Sequence, residues 1–238
     1  MSGRAFTCLI PAFNEADRIG SVLAAVQLHA LVQRIIVIDD CSTDDTAEVA
    51  RNAGAEVLQT PGNIGKTSAL ALGLKNVTTS HILLLDADLT GLTPDAITAL
   101  ITPVLDRSAI ASLSLRGNAP YLWRLIGLDY ISGERVLPYA LVAPHLQVMS
   151  ALPRFGFEVF LNHLLIASQQ PIAVVPLPDV ASPSKVAKRG AWAGLKADAG
   201  MLRDIFNTVS GAEILQQIFL MKRHQLWRKP QGSFWNPG

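Results

Sequence analysis

The sequence predicts an α/β fold, a mostly parallel sheet flanked by helices in a single domain. Three observations lead to this prediction. Short apolar segments of strand length alternate with helical segments through the first half of the chain. In the segment HILLL at 81–85, the four residues Ile82 to Leu85 are consecutive aliphatics, which is typical of a strand buried on both faces of a parallel sheet. The chain has 238 residues, 50% of them hydrophobic, enough for one sizeable core.

The predicted elements follow one another in a regular order. TCLIPAF at 7–13 is the first strand, and we expect Asn14 to cap the helix after it. RIIVIDD at 34–40 is the second strand, followed by a helix at 46–54 that ends on Gly54. The alternation then continues with AEVLQT at 55–60, a helix from Lys66 to Leu74, HILLLDAD at 81–88, and a helix that Thr93 and Pro94 begin and that runs through Leu100.

The pattern becomes less regular from about Ala109, and helical periodicity returns near 157–166 and 194–209. With 20 basic and 19 acidic residues, the net charge of +1 predicts no nucleic-acid partner. Cys8 and Cys41 are too few for a disulfide framework. We find neither a signal-peptide pattern nor the ~18 uncharged apolar residues of a membrane span, so we expect a cytoplasmic protein.

Two aspartates separated by one alanine end the HILLL strand. Side chains two positions apart in an extended segment point the same way, so we expect Asp86 and Asp88 to converge on one point. Two like charges held together repel each other unless a cation or a shared proton offsets them. The pair therefore predicts a divalent metal site.

Three other polar segments follow predicted strands at the same edge, where open α/β sheets bind ligands. Each has a simpler explanation on its own: helix capping, a solvated turn, or a glycine-rich turn with an exposed lysine. Together with the two aspartates they indicate one shared crevice. The three segments are Asn14 with Glu15, Asp39 with Asp40, and GNIGKTSA at 62–69.

GNIGKTS is similar to a phosphate-binding P-loop but fails that motif. A P-loop requires glycine at position 60, which is Thr60 here. The dinucleotide fingerprint also fails, because no GxGxxG follows the first strand. The segment can still place Lys66 and backbone amides at a helix start beside an anionic ligand.

Four ordered motifs resemble the donor-binding half of the family 2 glycosyltransferases, over about residues 5–100. They are IPAFNE, VIDDCSTDDTAEVA, GNIGKTSALALGL and LLLDADLTGLTPD. SGERVLP at 132–138, RFGFEVFLN at 154–162 and KVAKRGAWAGLK at 185–196 resemble acceptor-side segments of the short, soluble bacterial members. The resemblance implies a GT-A fold, with a nucleotide-sugar-binding half at about 5–108, an acceptor half at about 109–211 and an amphipathic tail at 212–238.

The resemblance implies transfer of a sugar from a nucleotide-diphosphate-sugar donor, with inversion, to a lipid-linked or small-molecule acceptor. Asp88 would bind Mg²⁺ or Mn²⁺, Asp40 the base edge, and Lys66 would lie near the ribose or diphosphate. Asp86 would face the sugar or ribose and belong to the catalytic set. The implied donor-binding residues are Pro11, Ala12, Glu15, Asp40, Gly65, Lys66, Asp86, Ala87 and Asp88.

Inverting transfer needs a base for the acceptor hydroxyl unless the nucleophile is already an anion. We expect Glu158 to be that base, with Glu134 as the rival. A carboxylate that merely favours a helix N-terminus is the simpler explanation for Glu158. The acceptor-side residues implied by the resemblance are Glu134, Arg135, Arg154, Lys185 and Lys188.

The chain departs from the family pattern where related short members carry a histidine before the KxxK segment. Ser182 stands there, and serine is a poor metal ligand compared with imidazole. We therefore expect a weaker metal site, or a ligand supplied by water or another residue. His145 and His163 are candidates, although a lone histidine is more often a packing or surface residue.

Two other functions remain open at this point: a nucleotidyltransferase that makes an activated sugar, and a non-catalytic nucleotide-sugar-binding protein. The nucleotidyltransferase would need a glycine-rich basic loop after strand one, yet IPAFNEADR contains no glycine.

The tail AEILQQIFLMKRHQLWRK at 212–229 combines apolar, basic and tryptophan side chains, as interfacial helices do. It predicts a peripheral position at the inner face of the membrane, with a lipid acceptor. The alternative is a terminal helix that packs Ile214, Ile218 and Trp227 on the catalytic domain or on a second subunit of a homodimer.

Overall fold

The computed structural model describes residues 5–150, 152, 156–182 and 210–227. Three predicted acceptor-side residues, Arg154, Lys185 and Lys188, lie outside these ranges, as does the predicted helix at 194–209. The described strands are β1 (Phe6–Ala12), β2 (Val32–Asp39), β3 (Glu56–Gln59), β4 (His81–Leu84), β5 (Ala111–Arg116), β6 (Arg135–Pro138), β7 (Ile172–Leu177) and β8 (Gln225–Trp227).

Helices alternate with these strands through the first half, and in the described part of the chain three short helices and two long ones follow β5. The described helices are α1 (Ala16–Gln27), α2 (Thr46–Asn52), α3 (Lys66–Leu74), α4 (Pro94–Leu105), α5 (Tyr121–Ile126), α6 (Tyr139–Val142), α7 (Leu146–Met149), α8 (Gly156–Ala167) and α9 (Gly211–Arg223), with a 3₁₀ turn at Ala143–His145.

The strands form one sheet in the order β3-β2-β1-β4-β6-β5-β7-β8. All neighbours pair in parallel except β6, which lies antiparallel between β4 and β5. Val136 of β6 is opposite Leu83 on one side and Ser112 on the other. The predicted α/β class with a mostly parallel sheet is confirmed.

Hydrophobic cores lie on both faces of the sheet. Successive side chains of a strand point to opposite faces, and in β1 Cys8 and Ile10 pack with α1 and α4 while Leu9 packs with α3. The core that contains Leu9 also includes apolar residues of α8 and α9. Helices therefore cover both faces, and the loops at the carboxyl edge are left to build a site.

Two local predictions have opposite outcomes. Thr93 caps α4 as expected, because its hydroxyl accepts a hydrogen bond from the Ala96 amide at 3.1 Å. The predicted Asn14 cap of α1 is wrong. Asn14 has a φ of 55°, and its amide oxygen instead accepts a hydrogen bond from the Thr43 amide at 2.8 Å. At the start of α1, the amide of Glu15 donates to the Thr46 hydroxyl and the amide of Ala16 donates to the Asp44 carboxylate.

Candidate active site

The two aspartates of the DAD segment contact different partners. β4 ends at Leu84 and the chain turns at residues 87–88, so the extended geometry expected for Asp86 and Asp88 is wrong. Asp86 contacts Lys66, whereas Asp88 contacts Ser182. Both carboxylates still lie at the carboxyl edge of the sheet, two positions apart in sequence but with different partners.

Asp86 is held by a cation and by a close backbone contact. The Lys66 ammonium donates to its Oδ1 at 2.7 Å. Gly133 lies so close that a Cβ there would be 2.7 Å from one Asp86 oxygen and 2.8 Å from the other. Burial raises the pKa of Asp86, but Lys66 and then Arg116 outweigh it, so the pKa lies below its usual range. Asp86 is therefore an anion fixed in one place.

Lys66 joins α3 to α8 at this edge. Its Nζ lies 3.3 Å from Oε1 of Glu158, which is buried in the first turn of α8. Partial removal from solvent lowers the pKa of the Lys66 ammonium. The negative charges of Asp86 and Glu158 have the larger effect and raise this pKa. A cation between two carboxylates, 43% exposed, is placed to meet an anionic ligand.

Asp88 accepts a hydrogen bond from the Ser182 hydroxyl. Ser182 Oγ lies 2.9 Å from one carboxylate oxygen and 2.8 Å from the other. The backbone next to Ser182 is fixed, because Thr90 and Ala181 exchange amide hydrogen bonds at 2.7 and 3.0 Å. Asn118 Nδ2 also donates to the Ser182 carbonyl at 2.6 Å.

Two glycines allow the segment that carries Ser182 to approach so closely. A Cβ on Gly91 would lie 2.0 Å from the Asp179 carbonyl oxygen, and a Cβ on Gly117 would lie 1.9 Å from that of Pro178. Gly91 also has a φ of +71°, which side chains rarely adopt. Glycine at these two positions thus helps to set the distance between Ser182 and Asp88.

Asp40 fastens the glycine-rich loop that leads into α3. Its carboxylate accepts hydrogen bonds from the amides of Ile64 and Gly65, both at 2.8 Å, and from the Thr60 hydroxyl at 3.0 Å. Thr60, which excluded the P-loop motif, therefore has a structural role. A carboxylate has about four acceptor positions, so Asp40 keeps capacity for one further donor. Its contact with a base stays a prediction.

The other predicted donor-side residues lie around the same edge. Ala12 ends β1, and its carbonyl accepts a hydrogen bond from the Asp40 amide at 2.8 Å. Pro11 precedes it in β1, and Ala87 is buried between the two aspartates. Glu15 directly precedes α1, and its carboxylate accepts a hydrogen bond from Arg18 Nε at 2.7 Å. The structure thus brings the donor-side set to one edge.

A mostly buried group of charged side chains interacts with Asp86. Its central residue is Arg116, which the sequence did not indicate. The Arg116 side chain is 3.6 Å from Glu134 and 3.7 Å from Asp129. Burial lowers the pKa of Arg116, but Glu134 and Asp129 outweigh it and raise the pKa. Burial also raises the pKa of Asp129 to about 6, although Arg116 opposes that shift. The alternation ASLSLR at 111–116 gives no signal for this role.

The side chains of Glu134 and Arg135, two residues expected on the acceptor side, are both buried in the core, and their acceptor-side role stays a prediction. Glu134 is fully buried and accepts a hydrogen bond from Ser114 at 2.6 Å. Burial and the nearby Asp86 raise the pKa of Glu134, against the effect of Arg116. The buried Arg135 donates to the Ser132 carbonyl and to Asn162 Oδ1, both at 2.7 Å. Glu134 and Arg135 therefore stabilise the protein interior next to the candidate site.

The two histidines considered as metal ligands lie elsewhere. His145 packs edge-on against Phe160 at 5.6 Å, and His163 is exposed on α8. Within the described residues, no group of three His, Cys, Asp or Glu side chains is arranged to hold a metal ion. Asp88 and Ser182 can offer only oxygen atoms as metal ligands. Such a set fits Mg²⁺ or Mn²⁺, which need one or two carboxylates when substrate phosphates and water supply the remaining ligands.

The start of the predicted tail forms α9, which packs on the domain. Ile214 and Met221 belong to the hydrophobic core, and Ile218 packs against it. This agrees with the packing alternative for Ile214 and Ile218. The peripheral position at the membrane stays a prediction. In the part of the chain that the structure describes, no helix combines the length and hydrophobicity needed to cross a bilayer.

Comparison with known sequences places this site in a family. The model for Glycosyl transferase family 2 matches residues 7–139, more than half of the chain. A 4,4'-diaponeurosporenoate glycosyltransferase of Staphylococcus aureus (strain USA300) is 41% identical over 103 residues, which are 41% of this chain. The match spans 28% of that protein's length.

Solved structures with a similar fold include glucosyl-3-phosphoglycerate synthase from Mycobacterium tuberculosis. Its complex with Mn²⁺, uridine diphosphate and phosphoglyceric acid has a TM-score of 0.67 and 25% identity, over 91% of this chain and 79% of that one. Its complex with Mg²⁺ and uridine diphosphate has a TM-score of 0.63 and 27% identity, over 85% and 80%. The predicted GT-A fold is confirmed.

Proposed function

The chain belongs to glycosyl transferase family 2, and from this premise we propose that it transfers a sugar, with inversion, from a nucleotide-diphosphate-sugar donor to an acceptor hydroxyl. The observation that carries the proposal is the position of Lys66 between Asp86 and Glu158, at 2.7 and 3.3 Å. One cation thereby connects the donor-side edge to the helix that carries the candidate base.

The donor-side edge suits a nucleoside diphosphate. Gly65 has a φ of +84° and precedes the first residue of α3, where an anionic group meets free amides and the Lys66 ammonium. Asp40 holds this loop in place and retains an acceptor position for a base N–H. A divalent cation bound at Asp88 would neutralise charge that develops on the departing diphosphate.

Glu158 is proposed as the base that takes the proton of the acceptor hydroxyl. It is buried, and Lys66 lies beside it. When a diphosphate occupies the edge, it competes with the two carboxylates for the Lys66 ammonium. Movement of Lys66 toward the diphosphate would free Glu158 to accept a proton, so donor binding would activate the base.

The acceptor is proposed to be lipid-linked or a small molecule. The Staphylococcus aureus relative is named for 4,4'-diaponeurosporenoate, and the solved neighbour is named for phosphoglycerate. The two names differ in the molecule that they give, whereas the family model matches residues 7–139, which include the whole donor-side half. We propose that the region from about residue 109 onward selects the acceptor.

A donor panel tests the proposed function. Nucleotide sugars with different bases would be incubated with the protein and Mn²⁺, and release of nucleoside diphosphate would be measured with and without EDTA. We expect release with at least one donor and its loss with EDTA. Pyrophosphate release from a sugar phosphate and a nucleoside triphosphate would instead identify a nucleotidyltransferase, and binding without turnover a non-catalytic protein.

A further inference from the structure

A group of large apolar side chains is exposed on two neighbouring helices, α5 and α9. On α5, Tyr121 is 71% exposed and Leu125 is 68% exposed. On α9, Leu215 is 70% exposed and Phe219 is 63% exposed. We call these four residues, together with the half-exposed Leu122, the α5–α9 surface.

The two helices meet at their ends, so the surface is continuous. Lys222 of α9 donates from Nζ to the Ile126 carbonyl at the end of α5, at 2.8 Å. Gln225 donates to the Gly127 carbonyl, also at 2.8 Å. Phe219 and Leu215 lie one and two turns before Lys222 on the same side of α9, while Ile214 and Met221 face the core.

The charges around this surface are mostly basic. Arg124 on α5 and the consecutive Lys222 and Arg223 on α9 are exposed, and the two helices contain a single acidic residue, Glu213. Glu213 lies in the first turn of α9, far along the helix from the basic pair. Apolar side chains flanked by cations are suited to a lipid bilayer, in which anionic headgroups cover a hydrocarbon layer.

We propose that the α5–α9 surface docks the protein on an anionic lipid bilayer. Isolated exposed apolar side chains are common, but five on two adjoining helices form a patch that a monomer in water rarely retains without a partner. The basic residues favour an anionic bilayer over an uncharged protein partner, since each adds attraction to negative headgroups. This surface is not the buried face of α9.

The docking surface is linked to the active site through the loop before α5. Arg124 Nη1 donates to the Gly117 carbonyl at 2.9 Å, and the adjacent Asn118 bonds to the backbone of Ser182. Docking would therefore hold the edge that carries Asp88 close to the headgroups. The inference deepens the proposed function, because it rests on that function for the choice of a lipid-linked acceptor.

Vesicle co-sedimentation tests the proposal with the full chain. Vesicles of phosphatidylcholine with phosphatidylglycerol should sediment the protein, and raised salt or vesicles of phosphatidylcholine alone should reduce binding. Leu125→Ser with Phe219→Ser should weaken binding roughly tenfold or more, and Lys222→Gln with Arg223→Gln by a similar factor. Leu28→Ser is the matched control, since Leu28 is a 77% exposed leucine at the end of α1.

Three outcomes would overturn the docking proposal. The protein could remain in the supernatant at low salt, or it could bind neutral and anionic vesicles equally. Light scattering could instead show a dimer that Phe219→Ser dissociates, which would make the surface an interface between two copies. Calorimetry with uridine diphosphate and Mn²⁺ on the same samples separates the docking proposal from the proposed function. Nucleotide binding without vesicle binding would reject only the docking proposal. Vesicle binding without nucleotide binding would reject the proposed donor site.

Discussion

The Ser182 hydroxyl donates to the carboxylate of Asp88, with its oxygen 2.9 and 2.8 Å from the two carboxylate oxygens. Thr90, Ala181 and Asn118 hold the backbone around Ser182, so this contact is built into the fold. Replacement of an expected imidazole by a hydroxyl leaves only oxygen atoms at the proposed metal site. The affinity of Asp88 for a divalent ion should therefore depend on residue 182.

Ser182→His should strengthen Mn²⁺ binding in the presence of uridine diphosphate by about tenfold, because imidazole is a better ligand than a hydroxyl. Calorimetry of Mn²⁺ against the protein–nucleotide mixture measures this change. Ser182→Ala is the control, since it removes the hydroxyl without adding a ligand. Equal affinities for the histidine and alanine variants would show that residue 182 does not face the metal.

Gly133→Ala should displace Asp86, because the added Cβ would lie 2.7 Å from a carboxylate oxygen. We expect transfer to fall by about tenfold or more, since small errors in catalytic geometry are costly. Gly20→Ala is the control, because its Cβ would meet only Val49 at 3.8 Å. Initial rates of both variants give the answer, and an unaffected Gly133→Ala would mean that Asp86 does not need this position.

Glu158→Gln should reduce transfer by ~10²-fold while donor binding persists, because the amide cannot accept the hydroxyl proton. Transfer rates and nucleotide affinities of the variant and of the wild type would be measured on the same preparations. Normal turnover in the variant would reject Glu158 as the base and leave Glu134, its rival, or an acceptor that is already anionic.

Asp129 should make stability depend on pH. Its pKa is raised to about 6 in the folded protein from an ordinary value of 3.8. The folded state therefore holds more protons between pH 4 and 6, and the free energy of unfolding falls as pH rises through this range, by roughly 2 to 3 kcal/mol. Asp129→Asn should flatten this fall in urea denaturation at pH 4.5 and 7. An unchanged slope would contradict the prediction.

Periodicity and capping predicted the donor half well, because its elements are local. The helix Lys66–Leu74 and the Thr93 cap agree with the structure to the residue. Sequence reasoning missed β6, whose antiparallel insertion between β4 and β5 depends on distant pairing. It also missed Arg116 and Gly133, because their roles depend on contacts with residues far along the chain. Asp86 and Asp88 were found, but their separation by a turn was not.

Release of nucleoside diphosphate by the wild-type protein and by Asp88→Asn, with Mn²⁺ and a donor identified from the panel, tests the central claim of metal-dependent glycosyl transfer most directly. The substitution keeps the size of the side chain but removes its charge. We predict Mn²⁺-dependent release by the wild type, loss of release in the variant, and an unchanged melting temperature within a few degrees. Equal release by both proteins, or release that EDTA leaves unaffected, would contradict the claim.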